Sequence, residues 1–414
     1  MTILSTLKIL NDTRGEEIEH WLAEKRAAAA PYFYTSVDLR HSGLRLVPVD
    51  TNLYPAGFNN LSPAATSRAA RFVAGFLTER YPAAKRIAVI PENHTRNLFY
   101  LENLSMLLSL FERAGVEVRL GSLVAAGPLT LQTRSGKTIT QYPLVRRGDQ
   151  LSLEDFMPDL IVINNDMTSG APEILQGLAQ PVIPPLSMGW WQRRKSVHFA
   201  AYQALMEDFA KTFGIDSWLL SANFYRCGMV DFKERAGLDC IAHGVESVLA
   251  SLRQKYKRYG IEDEPYVYVK AESGTYGMGV MTARSPADVL ELNKKERNKM
   301  QVIKEGARVS EVIIQEGIQT IDRVEGNPAE PLIYLIDGIP AGGIWRINEN
   351  RDAFGNLNAA GMEFTGMCDE SEDECGQWRT LENCHFRSFG IVAAIAALAA
   401  AREDYSTGKE GEGI

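Results

Sequence analysis

The stretch Pro265-Tyr266-Val267-Tyr268-Val269-Lys270-Ala271-Glu272-Ser273-Gly274-Thr275-Tyr276-Gly277-Met278-Gly279-Val280-Met281 decides how this chain is read. An alternating apolar run ends in Lys270, glycines follow at 274, 277 and 279, and the chain turns apolar again at Val280. Alternation with period two marks a half-buried strand. A strand lysine, a glycine loop and a second strand make a hairpin able to fold over a triphosphate. The ammonium meets phosphate oxygens, and the glycines let backbone N–H groups approach them. The P-loop order differs, with its lysine after the glycines at the start of a helix, and no helical pattern follows Gly279 as a dinucleotide fingerprint would need. On these residues alone, a tight hairpin with a solvated lysine explains the pattern equally well.

The whole chain sets the bounds. Its 414 residues suit two to three domains, and 45% hydrophobic with 23% charged residues is the composition of an ordinary globular protein. A formal charge of −8 argues against coating nucleic acid or an anionic membrane. Five cysteines, at 227, 240, 368, 375 and 384, form no Cys-x-x-Cys pair, which predicts reduced thiols and a cytoplasmic location. A zinc reading of Cys368, Cys375, Cys384 and His385 is disfavoured by the acidic, irregular run between them. No signal pattern opens the chain, and the longest apolar stretch, Phe389 to Ala401, is too short to span a bilayer, so it predicts a buried helix.

Along the chain, helical patterns cover Glu16 to Ala30, Ala64 to Arg80 and Asn97 to Ala114. Strand patterns cover Tyr32 to Leu39, Leu44 to Val49, Arg86 to Ile90 and Val116 to Leu120. That rhythm predicts an α/β layer with a largely parallel sheet. Leu129 to Tyr142 is a hairpin about Ser135-Gly136, and a further core strand ends in Asn164-Asn165-Asp166, where such sheets bind ligands. After Pro181 to Pro185, helices at Ser196 to Phe213, His243 to Tyr259 and Ala287 to Lys304 surround the glycine hairpin. Glu311 to Gln315, Pro331 to Ile336 and Gly342 to Ile347 predict an antiparallel sheet. The expected division is an N-terminal α/β domain at 1–185, a nucleotide-binding region at 186–402 of α+β character and a flexible tail at 403–414.

The order of these pieces resembles ATP-grasp ligases: a strand lysine with a glycine flap, the run Gln315-Glu316-Gly317-Ile318, and Arg346 ahead of Asn356-Leu357-Asn358-Ala359-Ala360-Gly361. The usual Glu-x-Asn metal pair near the C-terminal end is missing. Its counterpart lies near the N-terminus in Pro48-Val49-Asp50-Thr51-Asn52-Leu53-Tyr54-Pro55-Ala56-Gly57-Phe58-Asn59-Asn60, where Asp50 and Asn52 share one face of a strand. That placement is similar to the permuted fold of eukaryotic-type glutathione synthetases. With Ser36-Val37-Asp38-Leu39-Arg40 and Pro91-Glu92-Asn93-His94-Thr95-Arg96-Asn97, the chain most resembles the bacterial ATP-grasp type of glutamate–cysteine ligase.

The resemblance implies a permuted ATP-grasp-like fold with an α/β substrate-binding domain, ATP and Mg2+, and glutamate and cysteine joined through an acyl phosphate. It assigns Lys270 and Arg346 to catalysis. Lys195, Lys270, Gly274, Gly277, Gly279, Gln315, Glu316 and Ile318 would take the nucleotide, and Asp50, Asn52 and Glu272 the metal, although Glu272 follows its lysine more closely than in the synthetases. Asp38, Arg40, Asn59, Arg96, Asn165 and Asp166 are the substrate candidates, guanidinium for carboxylates and the acidic and amide groups for ammonium. Arg193-Arg194-Lys195 reads alternatively as a solvated charge run. Other readings are a ligase with a different amine acceptor, a glutathione synthetase, or a nucleotide-binding regulatory protein on the same fold. No nucleic-acid or membrane partner is expected, and the oligomeric state is not readable.

Overall fold

The two strands nearest the N-terminus, Tyr34–His41 and Leu46–Asn52, leave the segment that follows them and join strands from the far end of the chain. The computed structural model describes residues 2–274, 277–306, 308–367 and 385–403. In it Tyr34–His41 pairs antiparallel with Leu46–Asn52 on one side and with Asn327–Ile336 on the other. Ile339–Ile347 and Glu363–Gly366 continue this six-stranded sheet, and Arg323–Val324 pairs with Asn327–Ile336. The division expected at 185 is therefore crossed by backbone hydrogen bonds.

Period-two alternation gives this sheet its two characters. Val37, Leu39, Ile333 and Leu335 turn to one side, where they pack with the helix Phe386–Ala400. On the other side Tyr34, Leu332, Tyr334 and Ile344 are apolar and pack with the helix Pro63–Arg80. Further along that same face stand Asp38, Arg40, Glu330 and Arg346. One face thus begins as core and ends as a charged cleft wall.

The glycine hairpin belongs to a second, four-stranded antiparallel sheet in the order Phe224–Cys227, Val312–Glu316, Val267–Ala271, Val280–Ala283. The helix Leu238–Tyr259 covers it through Ile241, Val245, Val248 and Leu252. The third sheet is mostly parallel and centres on Arg86–Pro91 between Glu117–Ser122 and Leu160–Asn164. It is buried on both faces, as parallel sheets are. Ile87, Val89, Leu160 and Val162 enter one cluster, and Ala88, Ile90, Ile161 and Ile163 the other.

Several elements depart from the sequence reading. The first helix runs Ile3–Ala28, longer than expected, because a local break at Arg14 joins two helical segments. The predicted helix from Ala287 to Lys304 is broken into Ala287–Leu290 and Lys294–Gln301, the second restarted by an Asn293–Glu296 capping box. Phe224–Cys227 was not expected as a strand. Cys227 and Cys240 are joined as a disulfide between that strand and the first turn of Leu238–Tyr259, where free thiols were expected. Their separation of 13 residues carries no motif, and only the fold brings them together. Cys368, Cys375 and Cys384 lie outside the described residues.

Phe386–Ala400 confirms the buried alanine-rich helix and sits at the centre of the molecule. It packs against Ile3–Ala28, Lys195–Phe213 and four strands of the six-stranded sheet. Alanine permits this many close neighbours because its side chain ends at Cβ. At Ala396, wholly buried, three added carbons have nowhere to go. Ala396→Leu is expected to cost about 1–3 kcal/mol by overpacking. Urea unfolding would show a lower midpoint at unchanged slope, and a midpoint equal to that of the native chain would contradict this packing.

Candidate active site

The cleft lies between the six-stranded and four-stranded sheets. Asp38, Arg40, Asp50, Glu330 and Arg346 line one wall, and Tyr268, Lys270, Gly274 and Gly277 line the other, with Lys195, Asn356 and Asn358 at its margins. It encloses about 80 Å3, well under the roughly 300–1,000 Å3 typical of ligand pockets. The described part of the glycine loop accordingly lies close against the opposite wall. Gly277 has φ +64°, and a Cβ there would stand 2.5 Å from the Asn358 carbonyl oxygen. That position accepts only glycine.

The basic run at 193–195 is not solvated. Each residue finds its own carboxylate: Arg193 with Glu403 at 2.7 Å, Arg194 with Glu311 at 2.5 Å, and Lys195 with Asp50 at 3.0 Å. Lys195 Nζ also donates to the Gly274 carbonyl at 3.2 Å and lies over the Trp190 ring. Burial works against the Asp50 carboxylate, but Lys195 and then Lys270 outweigh it and hold it ionised below the ordinary range. Lys270 Nζ donates to Gln315 Oε1 at 2.7 Å and to the Val49 carbonyl at 3.2 Å. Burial pushes Lys270 down to about 8, with Asp50 opposing the shift.

On the facing wall four charges interlock. Arg346 Nη1 donates to Asp38 and to Glu330, both at 2.6 Å, and Arg40 Nε reaches Glu330 at 2.5 Å. Arg40 also donates to the carbonyls of Ala353 and Gly355. Burial raises Asp38, with Arg346 opposing the shift, whereas Glu330 is lowered because its two arginines outweigh burial. Register explains these meetings: Glu330 is the direct partner of Arg346, and Asp38 that of Asp50. Arg346 Nε is buried and has no hydrogen-bond partner among the described residues. Glu330 escaped the sequence reading. Its one signal was a carboxylate inside an otherwise apolar strand.

Other candidates are placed differently. Asn52 Oδ1 accepts the Tyr54 N–H at 2.9 Å beside the cleft. Glu272, expected as a metal ligand, is buried outside the cleft lining, where Oε2 accepts the Ser196 N–H at 3.0 Å and so caps the helix Lys195–Phe213. Glu316, expected at the nucleotide, gives its carboxylate to Arg45 and to the Asn223 N–H. Gln315 holds Lys270, and Ile318 lines a neighbouring cavity with Gly317, Tyr266 and Phe354. Asn59 donates to Asn60, and Arg96 is exposed on the loop that follows Arg86–Pro91; neither lines the cleft. Asn165 Oδ1 accepts the Met167 N–H. Asp166 and Glu92 share Lys304, at 2.9 and 2.8 Å, from the turn after Lys294–Gln301. Neither Glu92 nor Lys304 was a candidate from sequence.

Comparison with known proteins concerns the chain as a whole. The profile of the family GshA, glutamate-cysteine ligase, matches residues 8–404. The crystal structure of a protein assigned as a gamma-glutamylcysteine synthetase, from Methylobacillus flagellatus KT, is 44% identical, with TM-score 0.88 over 97% of this chain and 96% of that one. Two further likenesses are much weaker. One is a glutathione synthetase-like effector of Globodera pallida, at 10% identity and TM-score 0.39 over 88% of this chain and 85% of that one. The other is the D-cycloserine synthetase DcsG, at 13% and 0.39 over 77% and 81%. No curated protein matches the chain.

The depressed Lys270 has a consequence for the ligand-free protein. Below pH 8 the ammonium is charged in both folded and unfolded chains, and its burial costs stability. Between about 8 and the ordinary 10.5 the folded chain loses the proton first, so the cost fades as pH rises. Lys270→Met removes it. The ligand-free melting temperature at pH 7 is expected to rise, with the gain shrinking above pH 8. A variant that melts lower at pH 7 would show that Lys270 is held by the fold rather than imposed on it.

Proposed function

The chain belongs to the glutamate–cysteine ligase family, and on that premise we propose how its cleft supports the ATP-driven joining of the γ-carboxylate of L-glutamate to the amine of L-cysteine. A carboxylate is a poor electrophile. It becomes one when its oxygen attacks the γ-phosphorus of ATP and ADP leaves. The amine then attacks the acyl phosphate, and phosphate and a proton are released. Positioning and neutralisation of charge are what the protein contributes to such a transfer.

The observation that carries this assignment is the meeting of Lys270, Lys195 and Asp50 beside the glycine loop, from three distant parts of the chain. Lys270 and Lys195 supply charge for the phosphates, and Gly274, Gly277 and Gly279 supply a backbone that can approach them closely. Arg346 carries a buried Nε without a hydrogen-bond partner among the described residues, on the cleft wall, which suits a donor to the carboxylate under transfer or to its acyl phosphate. Arg40 and Asp38 frame the same wall, tied through Glu330. Asn165 and Asp166 follow the strand Leu160–Asn164 beside Arg86–Pro91, from which the chain goes first to Glu117–Ser122 on the other side. Sheets of this type bind ligands at such a reversal, and we retain both residues, with Arg96 on the adjoining loop, as contacts for an amino-acid substrate. Asn59 remains a substrate candidate by resemblance alone.

Magnesium fits one corner of the cleft. Asp50 is held ionised with about a third of its side chain exposed, at 34%, and Asn52 lies two residues along the same strand face. Asp38 is the cross-strand neighbour of Asp50. Such hard oxygens suit an ion that keeps waters and phosphate oxygens in its shell. Among the described residues no three His, Cys, Asp or Glu side chains form a metal group by themselves. We assign Asp50 and Asn52, with Asp38 alongside, to hold the ion, and leave Glu272 to the helix cap it makes. The bound ion would offset charge on the transferred phosphoryl group.

Among the described residues no helix is long and apolar enough to cross a membrane. We place the enzyme in the cytoplasm, where ATP is made available, acting on small molecules. Purified protein given ATP, Mg2+, glutamate and a panel of amines is expected to release ADP fastest with cysteine. Turnover that glycine or another amine stimulates and cysteine does not would overturn the acceptor and leave the ligase chemistry. Asp50→Asn is expected to lower kcat/KM on the order of 100-fold, the scale of losing one charge-stabilising group. Unchanged kcat/KM would remove Asp50 from the site.

A further inference from the structure

Glu403 was expected to open a flexible tail, yet its side chain is fully buried. Its carboxylate takes a two-pronged contact from Arg193, Nε at 2.8 Å and Nη2 at 2.7 Å, and meets His198 Nδ1 at 2.7 Å through the oxygen that accepts Nη2. The remaining arm of Arg193, Nη1, donates to the Thr51 carbonyl at 2.6 Å. Thr51 is the residue between Asp50 and Asn52. His198 stands one turn beyond Lys195 on the helix Lys195–Phe213. Lys195 in turn reaches Asp50.

We propose that Glu403 is a positioning residue for the nucleotide site, setting the metal-ligand strand and the Lys195 helix in register with each other through Arg193 and His198. The inference rests on the functional reading above, because it takes Asp50, Asn52 and Lys195 to be the groups that meet magnesium and phosphate. The contacts form a closed ring: Glu403 to Arg193, Arg193 to the strand at Thr51, Asp50 to Lys195, and the helix back through His198 to Glu403. A ring of this kind resists sliding of the strand along the helix, which a single contact would allow. Charge points the same way. Arg193 is buried, and it lies two residues from Lys195 in a site already rich in cations. Without the Glu403 carboxylate its buried guanidinium would lose its two-pronged counter-charge. The groups available to relieve it are the carboxylates nearby, and Asp50, which already feels Arg193, is one of them.

Packing alone would not require this arrangement. The apolar neighbours of the last helix are complete without Glu403, and a neutral residue would fill the space. The full-length variant Glu403→Gln keeps the shape and loses the charge. Calorimetric titration with MgADP, which reads binding without turnover, is expected to show affinity weakened about tenfold, as for partners that orient metal ligands. Glu403→Asp should recover part of the loss. Arg193→Lys keeps the charge but loses the two-pronged contact, and should weaken MgADP as Glu403→Gln does; it also serves if the latter does not fold. MgADP affinity within twofold of the native chain in Glu403→Gln, even with a lower melting temperature, would overturn the proposal and make Glu403 merely structural. A native chain that does not bind MgADP would overturn the functional reading instead.

Discussion

The cleft depends on one piece of backbone pairing, the insertion of Tyr34–His41 between Leu46–Asn52 and Asn327–Ile336. Each strand of that trio brings a charged residue to the same face: Asp38 and Arg40, Asp50, and Glu330. Antiparallel register sets them opposite one another, and a slip of one residue would turn every one of them to the apolar side, against the helix Phe386–Ala400. Val37, Leu39, Ile333 and Leu335 prevent that slip, because the same slip would expose them to the cleft. The hydrophobic side of the sheet thus specifies the chemistry on its other side.

Charge balance follows from this geometry. Arg40, Lys195, Lys270 and Arg346 line the cleft against Asp38, Asp50 and Glu330. The three carboxylates do not neutralise the four cations, and the surplus in the cleft is positive. The carboxylates nevertheless matter to the cations. Long basic side chains lose rotamer freedom when held in place, and pairing with Glu330 or Asp50 meets that cost before a substrate arrives. Pre-organised charge of this sort stabilises a developing anion without reorganisation at the moment of reaction. Lys270 is the exception. It faces a glutamine and a carbonyl rather than a close carboxylate, and its burial lowers its proton affinity against the pull of Asp50.

What could be read from sequence was what is local. Lys270 announced itself through strand alternation and three following glycines, and Asp50 with Asn52 through i and i+2 spacing on a strand. The parallel sheet was legible because fully buried strands and helices alternate in sequence. Long-range pairing hid the rest. Glu330 joins the charged cleft wall because Arg346 stands across from it, and no spacing within either strand says so. Glu316 read as a free carboxylate after a strand, and only the fold shows that Arg45, far upstream, claims it. Glu272 was assigned to the metal by resemblance, although it follows Lys270 more closely than in the synthetases. A strand residue two positions on points to the same face, but Glu272 lies past the end of the strand, and the chain has by then turned toward Ser196.

The position of Leu46–Asn52 in its sheet also gives Phe386–Ala400 and Glu403 their importance. Of the two strands Tyr34–His41 and Leu46–Asn52, the second is an edge strand of the sheet. Edge strands have one free row of backbone groups and are the easiest to displace. Here the Thr51 carbonyl is taken by Arg193, and Phe386–Ala400 packs against both N-terminal strands before Glu403 closes on that same arginine. Helix and carboxylate together do for this edge what another strand would do elsewhere: they fix its position along its own axis, the one direction in which an error would carry Asp50 away from Lys195.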